Sequence, residues 1–298
     1  MGNPKSEWGS SYRLIAAEKW KSKSAAMGRE VTRALVQYAR PASGMKVLDV
    51  ASGTGEPAIS LASKVGSQGE VTALDLSSEL LAIAEQRAQQ RRLSNFVVRQ
   101  ADVHELPFPE SAFDLITCRF GLMFFADCEK ALGEIARVLK PGGRACFAVW
   151  GPFDQPYWAS TMGVVHRPIG GSLMGPGAPD MFRFADPGGA AGLLHSAGLL
   201  SVEEEIKRLP WTWCGTAEEL WEYAQAVSAP FRPLLQRIPS NRRVEIDAQV
   251  HAAMRRYENR GRLKFEAVVR FASGNKPGSP GKETGKECFP GVGGGCRP

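Results

Sequence analysis

An apolar run that breaks into a glycine loop and resumes in small residues constrains this chain more than any other feature: Val47-Leu48-Asp49-Val50-Ala51-Ser52-Gly53-Thr54-Gly55-Glu56-Pro57-Ala58. It reads as a strand, a tight turn and a helix start, because glycines let the backbone turn sharply and helix N-terminal amides face a bound group. Four more short apolar runs, rich in β-branched residues, follow at 70–76, 95–101, 113–120 and 144–150. Helical patterns lie between them. One, at 78–92, opens on serine and places Leu80, Leu81, Ala84 and Ala88 on one face; the other, at 128–140, does the same with Leu132, Ile135, Val138 and Leu139 and is expected to stop at Pro141-Gly142-Gly143. Alternation of this kind predicts an α/β, doubly wound sheet with its ligand at the C-terminal ends of the parallel strands.

Later segments are less regular. A helix is expected at 187–199, a sixth strand at 201–208 and a closing strand at 262–272, which makes seven strands in all. Residues 273–298 are rich in Gly, Pro and Lys and are expected to be a disordered tail.

Composition sets outer limits. With 298 residues, 43% hydrophobic and 23% charged, the chain has enough apolar content for a large core. No apolar run reaches the roughly 18 to 20 residues a membrane helix needs, and the first residues are polar, so a cytoplasmic address is expected. Met1-Gly2-Asn3-Pro4-Lys5-Ser6 fits an N-acylation pattern that we read as a chance match. Six cysteines, Cys118, Cys128, Cys146, Cys214, Cys288 and Cys296, show no C-x-x-C spacing, so neither a metal site nor a disulfide framework is expected. Nothing in the sequence speaks to oligomeric state.

Gly53-Thr54-Gly55-Glu56-Pro57-Ala58 fits the dinucleotide pattern G-x-G-x-x-G/A, and Asp75 stands where an acid would grip a ribose. That reading leads to NAD. Asp49 opposes it, because a carboxylate four residues before Gly53 would repel a pyrophosphate. A cationic ligand without phosphate removes the conflict.

Val47 to Gly55, Asp75 in "VTALDLS", Asp102 in "ADVHELPFPESAFDLI" and "ARVLKPGG" before the fifth strand arrive in order across roughly 27–150. Together they resemble the class I S-adenosylmethionine-dependent methyltransferases, in the branch that includes the ubiquinone/menaquinone-biosynthesis C-methyltransferases. The resemblance implies a Rossmann-like, mostly parallel seven-stranded sheet whose last strand is antiparallel, with helical lid insertions. It implies S-adenosyl-L-methionine as cofactor and S-adenosyl-L-homocysteine as product.

By the same resemblance, Asp49 organises the loop and the methionine end, with Ala51, Ser52, Gly53 and Gly55 passing close to the cofactor. Asp75 and Leu76 meet the ribose, Asp102 and the Val103 amide the adenine edge, and Arg119 and Phe120 lie near the transferable methyl. Two positions depart from the family pattern: Ala51 stands for the usual glycine and Ser52 for the common cysteine. An alanine leaves the approach open provided its φ stays negative. The implied organisation is an N-terminal lid at 1–40, a cofactor-binding core at 41–150, the rest of the sheet with substrate lids at 151–272, and the tail.

Segments 151–185 and 210–260, with an N-terminal helix around 12–20, are expected to cover the methyl. Their aromatics, Tyr12, Trp20, Tyr157, Trp158, Trp211, Trp213, Trp221 and Phe231, suggest an apolar pocket for a small, aromatic or quinone-like acceptor. In-line displacement from a sulfonium asks mainly for alignment and desolvation, and for a base only when the accepting atom is protonated. His166 is the leading candidate base, with Tyr157 and Asp154 behind it, whereas His195 reads as structural and His104 as shaping a turn. A net charge of +6 and an arginine-rich run over 232–264 raise an RNA methyltransferase as alternative. Against a nucleic acid, Cys118-Arg119-Phe120-Gly121 stands where base amino-methylases carry a Pro-Pro tetrapeptide. A non-catalytic binding protein of the same fold is a third reading.

Overall fold

The structure is a computed structural model that describes residues 19–278 except Pro176 and Pro179. The expectations on Met1 to Ser6, Tyr12, Cys288, Cys296 and the tail beyond 278 fall outside those residues.

Five parallel strands form the body: β1 (Lys46–Val50), β2 (Glu70–Asp75), β3 (Phe96–Gln100), β4 (Phe113–Arg119) and β5 (Leu139–Trp150). Two long strands, β6 (Leu200–Trp213) and β8 (Arg262–Asn275), complete the sheet, with the two-residue β7 (Glu258–Asn259) paired on β8. The spatial order is β3-β2-β1-β4-β5-β8-β6, and β8 runs antiparallel to both neighbours. This is the Rossmann-like architecture expected, with β7 added. Register places Asp49 beside Thr117 and the end of β1 beside that of β2, so the C-terminal ends of β1, β2 and β4 open at one edge.

The strands form where they do because β1, β2 and β4 are apolar on both faces, and helices cover both. Helix α3 (Ala58–Val65) buries Ala58, Ile59, Leu61, Ala62 and Val65. In α4 (Ser78–Gln90) the Ser77 hydroxyl caps the Leu80 amide, and in α5 (Cys128–Val138) the Asp127 carboxylate caps that of Lys130.

Three boundaries differ from the pattern reading. Pro141-Gly142-Gly143 does not follow the helix as a loop: α5 ends at Val138 and the tripeptide lies inside β5, accommodated by a shift of register between Phe113↔Leu139 and Leu115↔Arg144. Strand β6 continues to Trp213, so Trp211 and Trp213 stand on the sheet rather than on a loop lid. Pro210 is tolerated there because β6 is an edge strand. Strand β8 runs to Asn275, because Cys146, Ala145 and Arg144 of β5 pair with Ser273, Gly274 and Asn275.

The cover over the C-terminal edge is helical. It comprises α1 (Lys21–Met27), α6 (Pro156–Ser160), α7 (Met162–Ile169), α9 (Ala217–Val227), α10 (Arg232–Gln236) and α11 (Arg243–Arg255), whereas α2 (Arg29–Ala39) and α8 (Gly189–Ser196) pack on the sheet strands. Thr216 and Glu219 close a reciprocal capping box at the start of α9. Lys23 pairs with Glu219 at 2.7 Å and Trp20 meets Tyr223 edge-on at 5.9 Å, which fastens α1 to α9. The Trp221 indole donates to Asp247 at 2.7 Å and fastens α9 to α11. Among the described residues no helix is long and apolar enough to cross a membrane.

Candidate functional site

A cavity of about 440 Å³ lies between the ends of β1, β2 and β4 and the helical cover, a size suited to a small ligand. It has two contrasting sides.

The loop side is polar. The chain leaves β1 through Ala51 and Ser52, and the Ser52 amide is fixed by the Leu74 carbonyl at 2.9 Å. Asp75, at the end of β2, accepts the Gly53 amide on Oδ2 at 2.8 Å and the Ser77 amide on Oδ1 at 3.0 Å, so one carboxylate holds the loop and starts α4. Arg87 reaches from α4 to the Thr54 carbonyl at 2.6 Å. Asp102 Oδ1 accepts the His104 amide at 3.0 Å and lies 2.5 Å from His104 Nδ1, while His104 Nε2 accepts the Asp127 amide at 3.2 Å. These contacts make Nδ1 the protonated nitrogen and tie the turn after β3 to the start of α5.

Asp49 is completely buried. Its Oδ1 accepts the Thr117 hydroxyl at 2.6 Å, whereas Oδ2 has no hydrogen-bond partner, nor has the covered Ser52 hydroxyl. Burial pushes the Asp49 carboxyl up to about 7, against the opposing Thr117 hydroxyl and the Arg119 charge. Arg119 donates from Nη1 to the Thr32 hydroxyl at 2.7 Å and, at 3.5 Å, to the Gly28 carbonyl. Burial draws its pKa down, against the pull of Glu56 and Asp49.

The other side is aromatic. Phe120 lies stacked on Trp150, ring centroids 4.3 Å apart at 12°, and Trp158 and Trp211 abut Trp150 edge-on at 5.4 and 5.1 Å. Tyr157, Met181, Tyr223, Val227, Ser228 and Pro230 complete this wall, and Ser24, Ala25, Met27 and Gly28 roof it.

Of the residues singled out from sequence, Ala51, Ser52, Gly53, Asp75, Leu76, Asp102, Val103, Arg119, Phe120 and Tyr157 all line this one cavity. Asp49 and Gly55 lie behind the wall. His166 does not reach it: the side chain sits on α7 with Nε2 2.8 Å from the Gly171 carbonyl, so the expected base is turned to its own loop. Tyr157 is in place, but burial raises its phenol well above the ordinary range, so it stays protonated and is unsuited to act as a base.

The condition placed on Ala51 also fails. Its φ is +55°, the left-handed region, because the loop reverses directly off β1 where the family pattern has glycine. Its methyl is accommodated opposite Gly121, where a Cβ would lie 2.6 Å from that of Ala51. Phe120 is left-handed too, at +60°, and its amide is anchored to the Ala148 carbonyl at 2.8 Å.

Sequence reasoning missed Thr117, Thr32, Arg87, Tyr223 and Ser228. Thr117 was visible in principle, since it alternates inward on β4 beside β1. Ser228 had no signal, because it lies in an irregular turn after α9.

Residues 41–151 match the family model of a methyltransferase domain. A ubiquinone/menaquinone biosynthesis C-methyltransferase of Idiomarina loihiensis is 44% identical over 102 residues, 34% of this chain and 41% of that protein. A demethylmenaquinone methyltransferase of Listeria welshimeri is 36% identical over 129 residues, 43% of this chain and 54% of that one. Over these residues the chain resembles the S-adenosylmethionine-dependent methyltransferases. It spans about half the length of the curated relatives it matches. The crystal structure of the YcgJ protein from Bacillus subtilis shares the fold, with a TM-score of 0.54 at 21% identity over 83% of this chain and 97% of that one.

The residues present fit the cofactor of that family. Asp49 Oδ2 is a buried carboxylate oxygen without a partner beneath the loop, the complement of a cation and the opposite of what a pyrophosphate needs.

Proposed function

We propose that this chain moves the methyl group of S-adenosylmethionine, by in-line displacement, to a small apolar or aromatic acceptor. The observation that carries this reading is the two-sided cavity: glycine loop, Asp75 and Asp102 on one side, stacked rings on the other, with Arg119 and Phe120 at the seam.

In this reading Asp75 accepts the ribose hydroxyls, Asp102 and the Val103 amide hold the adenine edge, Leu76 packs on the nucleoside, and Asp49 and Arg119 favour the zwitterionic methionine end. When bound, S-adenosylmethionine supplies a methyl on a sulfonium with a neutral thioether as leaving group. The chain's own residues align and desolvate. Phe120 and Trp150 form a rigid flat wall, and α1 and α9 exclude water from above. Among the described residues the aromatic side presents no carboxylate, histidine or lysine, so a proton displaced from an O–H or C–H acceptor would leave to solvent. The names of the curated relatives point to quinone-type rings as one acceptor, whose displaced ring proton would pass to water.

The arginine-rich run gives a nucleic acid little support. Arg237 bonds the Ser172 carbonyl, Arg242 pairs with Glu245, Arg243 with Asp247 and Arg255 with Glu218. Charges committed this way are not arrayed for phosphates.

Calorimetric titration with S-adenosylhomocysteine and with NAD, followed by a methyl-transfer screen over phenols, quinols, thiols and RNA, tests the reading. S-adenosylhomocysteine should bind and NAD should not; NAD binding without a response to S-adenosylhomocysteine overturns it.

A further inference from the structure

We propose that the hydroxyls of Tyr157 and Ser228 form the polar anchor for the methyl acceptor, which is therefore a ring-bearing molecule with an uncharged hydroxyl or carbonyl oxygen. This rests on the methyltransferase reading and specifies its substrate.

Tyr157 and Ser228 both line the cavity and are only 2% and 5% exposed. Their backbones are fully engaged in the cover: Tyr157 accepts the Thr161 hydroxyl on its carbonyl at 2.7 Å, and Ser228 donates its amide to Ala224 and accepts that of Phe231, both at 3.0 Å. Their side-chain hydroxyls are different. Neither makes a hydrogen bond to the protein among the described residues, and neither is sealed off as the Trp158 and Trp211 indole nitrogens are. A buried hydroxyl left without a partner is costly, so whatever fills this side of the cavity is selected for an atom that bonds it.

Around them stand rings, a thioether and aliphatic groups, together with the Tyr223 hydroxyl, which lies close enough to raise the Tyr157 phenol further. Trp158 and Trp211 hold the Tyr157 ring edge-on at 4.8 and 6.0 Å, so the phenol oxygen cannot wander. Val227 and Pro230 flank Ser228. Among the described residues the one full charge at this side, Arg119, is positive and disfavours a cationic acceptor. Because burial keeps Tyr157 protonated, it acts as a neutral donor and acceptor, as Ser228 does. Two neutral hydroxyls among rings complement an oxygen on a ring. A site built to bond such an oxygen rejects the analogue that lacks it.

The test compares phenol, toluene and benzylamine by calorimetry, on protein saturated with S-adenosylhomocysteine and again without it. Phenol should bind at least about tenfold more tightly than toluene, and benzylamine more weakly than either. Tyr157→Phe and Ser228→Ala should each narrow the phenol preference and together abolish it. Because neither hydroxyl supports the fold, both variants should keep the parent Tm and the parent affinity for S-adenosylhomocysteine. Equal affinity for phenol and toluene, a phenol preference that survives in the double variant, tightest binding of benzylamine, or no binding of any probe would each overturn the anchor. Failure of S-adenosylhomocysteine to bind would instead overturn the methyltransferase reading, and the titrations without it still decide the anchor.

Discussion

On the loop side of the cavity, polar groups are held by neighbours before any ligand arrives: Asp75 by the Gly53 and Ser77 amides, Asp102 by His104, Arg87 by Thr54 and Glu56 by the Ser60 hydroxyl. On the aromatic side, position comes from ring against ring, and the Tyr157 and Ser228 hydroxyls bond none of the described residues. The loop side is built from the ends of β1, β2 and β3 and the turns after them, so its chemistry is fixed by local backbone geometry. The aromatic side is gathered from β4, β5, α6, β6 and α9, and its shape depends on how those elements pack. A change on the first side should therefore alter binding, and loss of a ring on the second should alter the fold as well.

Trp150 tests that contrast most severely. It is 5% exposed, stacked on Phe120 and buttressed by Trp158 and Trp211, so Trp150→Ala removes the centre of the wall. A loss of about 3 to 5 kcal/mol in unfolding free energy is expected, read by denaturant melts. A loss under about 1 kcal/mol would show that the ring cluster does not support the fold and would erase the distinction.

Asp75→Ala is the counterpart on the loop side. It should weaken S-adenosylhomocysteine binding by about 1 to 3 kcal/mol in calorimetry, the usual cost of leaving buried polar groups unpaired. Unchanged affinity would argue against the ribose role. Tm should move less than with Trp150→Ala, since the lost contacts lie at the rim of the cavity.

The same contrast explains what could be read from the sequence. Asp75 and Asp102 announce themselves because each must follow a strand by a fixed number of residues, and the loop between Ala51 and Gly55 leaves few backbone solutions. The sheet was legible for the same reason: five apolar runs separated by helical periods admit few packings. His166 misled because proximity along the chain to β5 says nothing about which way α7 turns it. Ser228 was invisible because a serine in an irregular turn after α9 has no period to betray its direction. Trp211 was noticed as an aromatic but placed on a lid, since Pro210 masked the continuing edge strand.

Asp49 links the two sides through charge. Its carboxyl is pushed up to about 7 in the folded chain, above the ordinary carboxylate value it regains on unfolding. The folded state thus holds its proton to higher pH, and the stability Asp49 contributes is present in acid and lost as pH rises to about 7. The α-ammonium group of bound S-adenosylhomocysteine favours the ionised form, so this ligand should bind more tightly as pH rises through about 6 to 8. A one-unit drop in the carboxyl's pKa on binding corresponds to about 1.4 kcal/mol. In Asp49→Asn both pH dependences should flatten, measured by melts and by calorimetry at several pH values. Persistence of the slope in that variant would assign it to another group.

The smallest effect expected concerns Ala51, and it separates backbone strain from packing. At φ +55° an L-residue pays about 1 to 2 kcal/mol that glycine does not, offset in part by the greater freedom glycine has when unfolded. Ala51→Gly should therefore stabilise the chain by up to about 1 kcal/mol, a Tm rise of roughly 2 to 4 °C for a chain of this size. The methyl faces Gly121, where an added Cβ would lie 2.6 Å from both Ala51 Cβ and Cys118 Sγ. Gly121→Ala alone should thus be strongly destabilising, and Ala51→Gly should relieve the half of that clash that Ala51 causes while leaving the half with Cys118. The two substitutions should be non-additive by more than about 0.5 kcal/mol. Additive melts would mean that the backbone at Ala51 relaxes without regard to Gly121, and that the loop side is less rigid than its hydrogen bonds require.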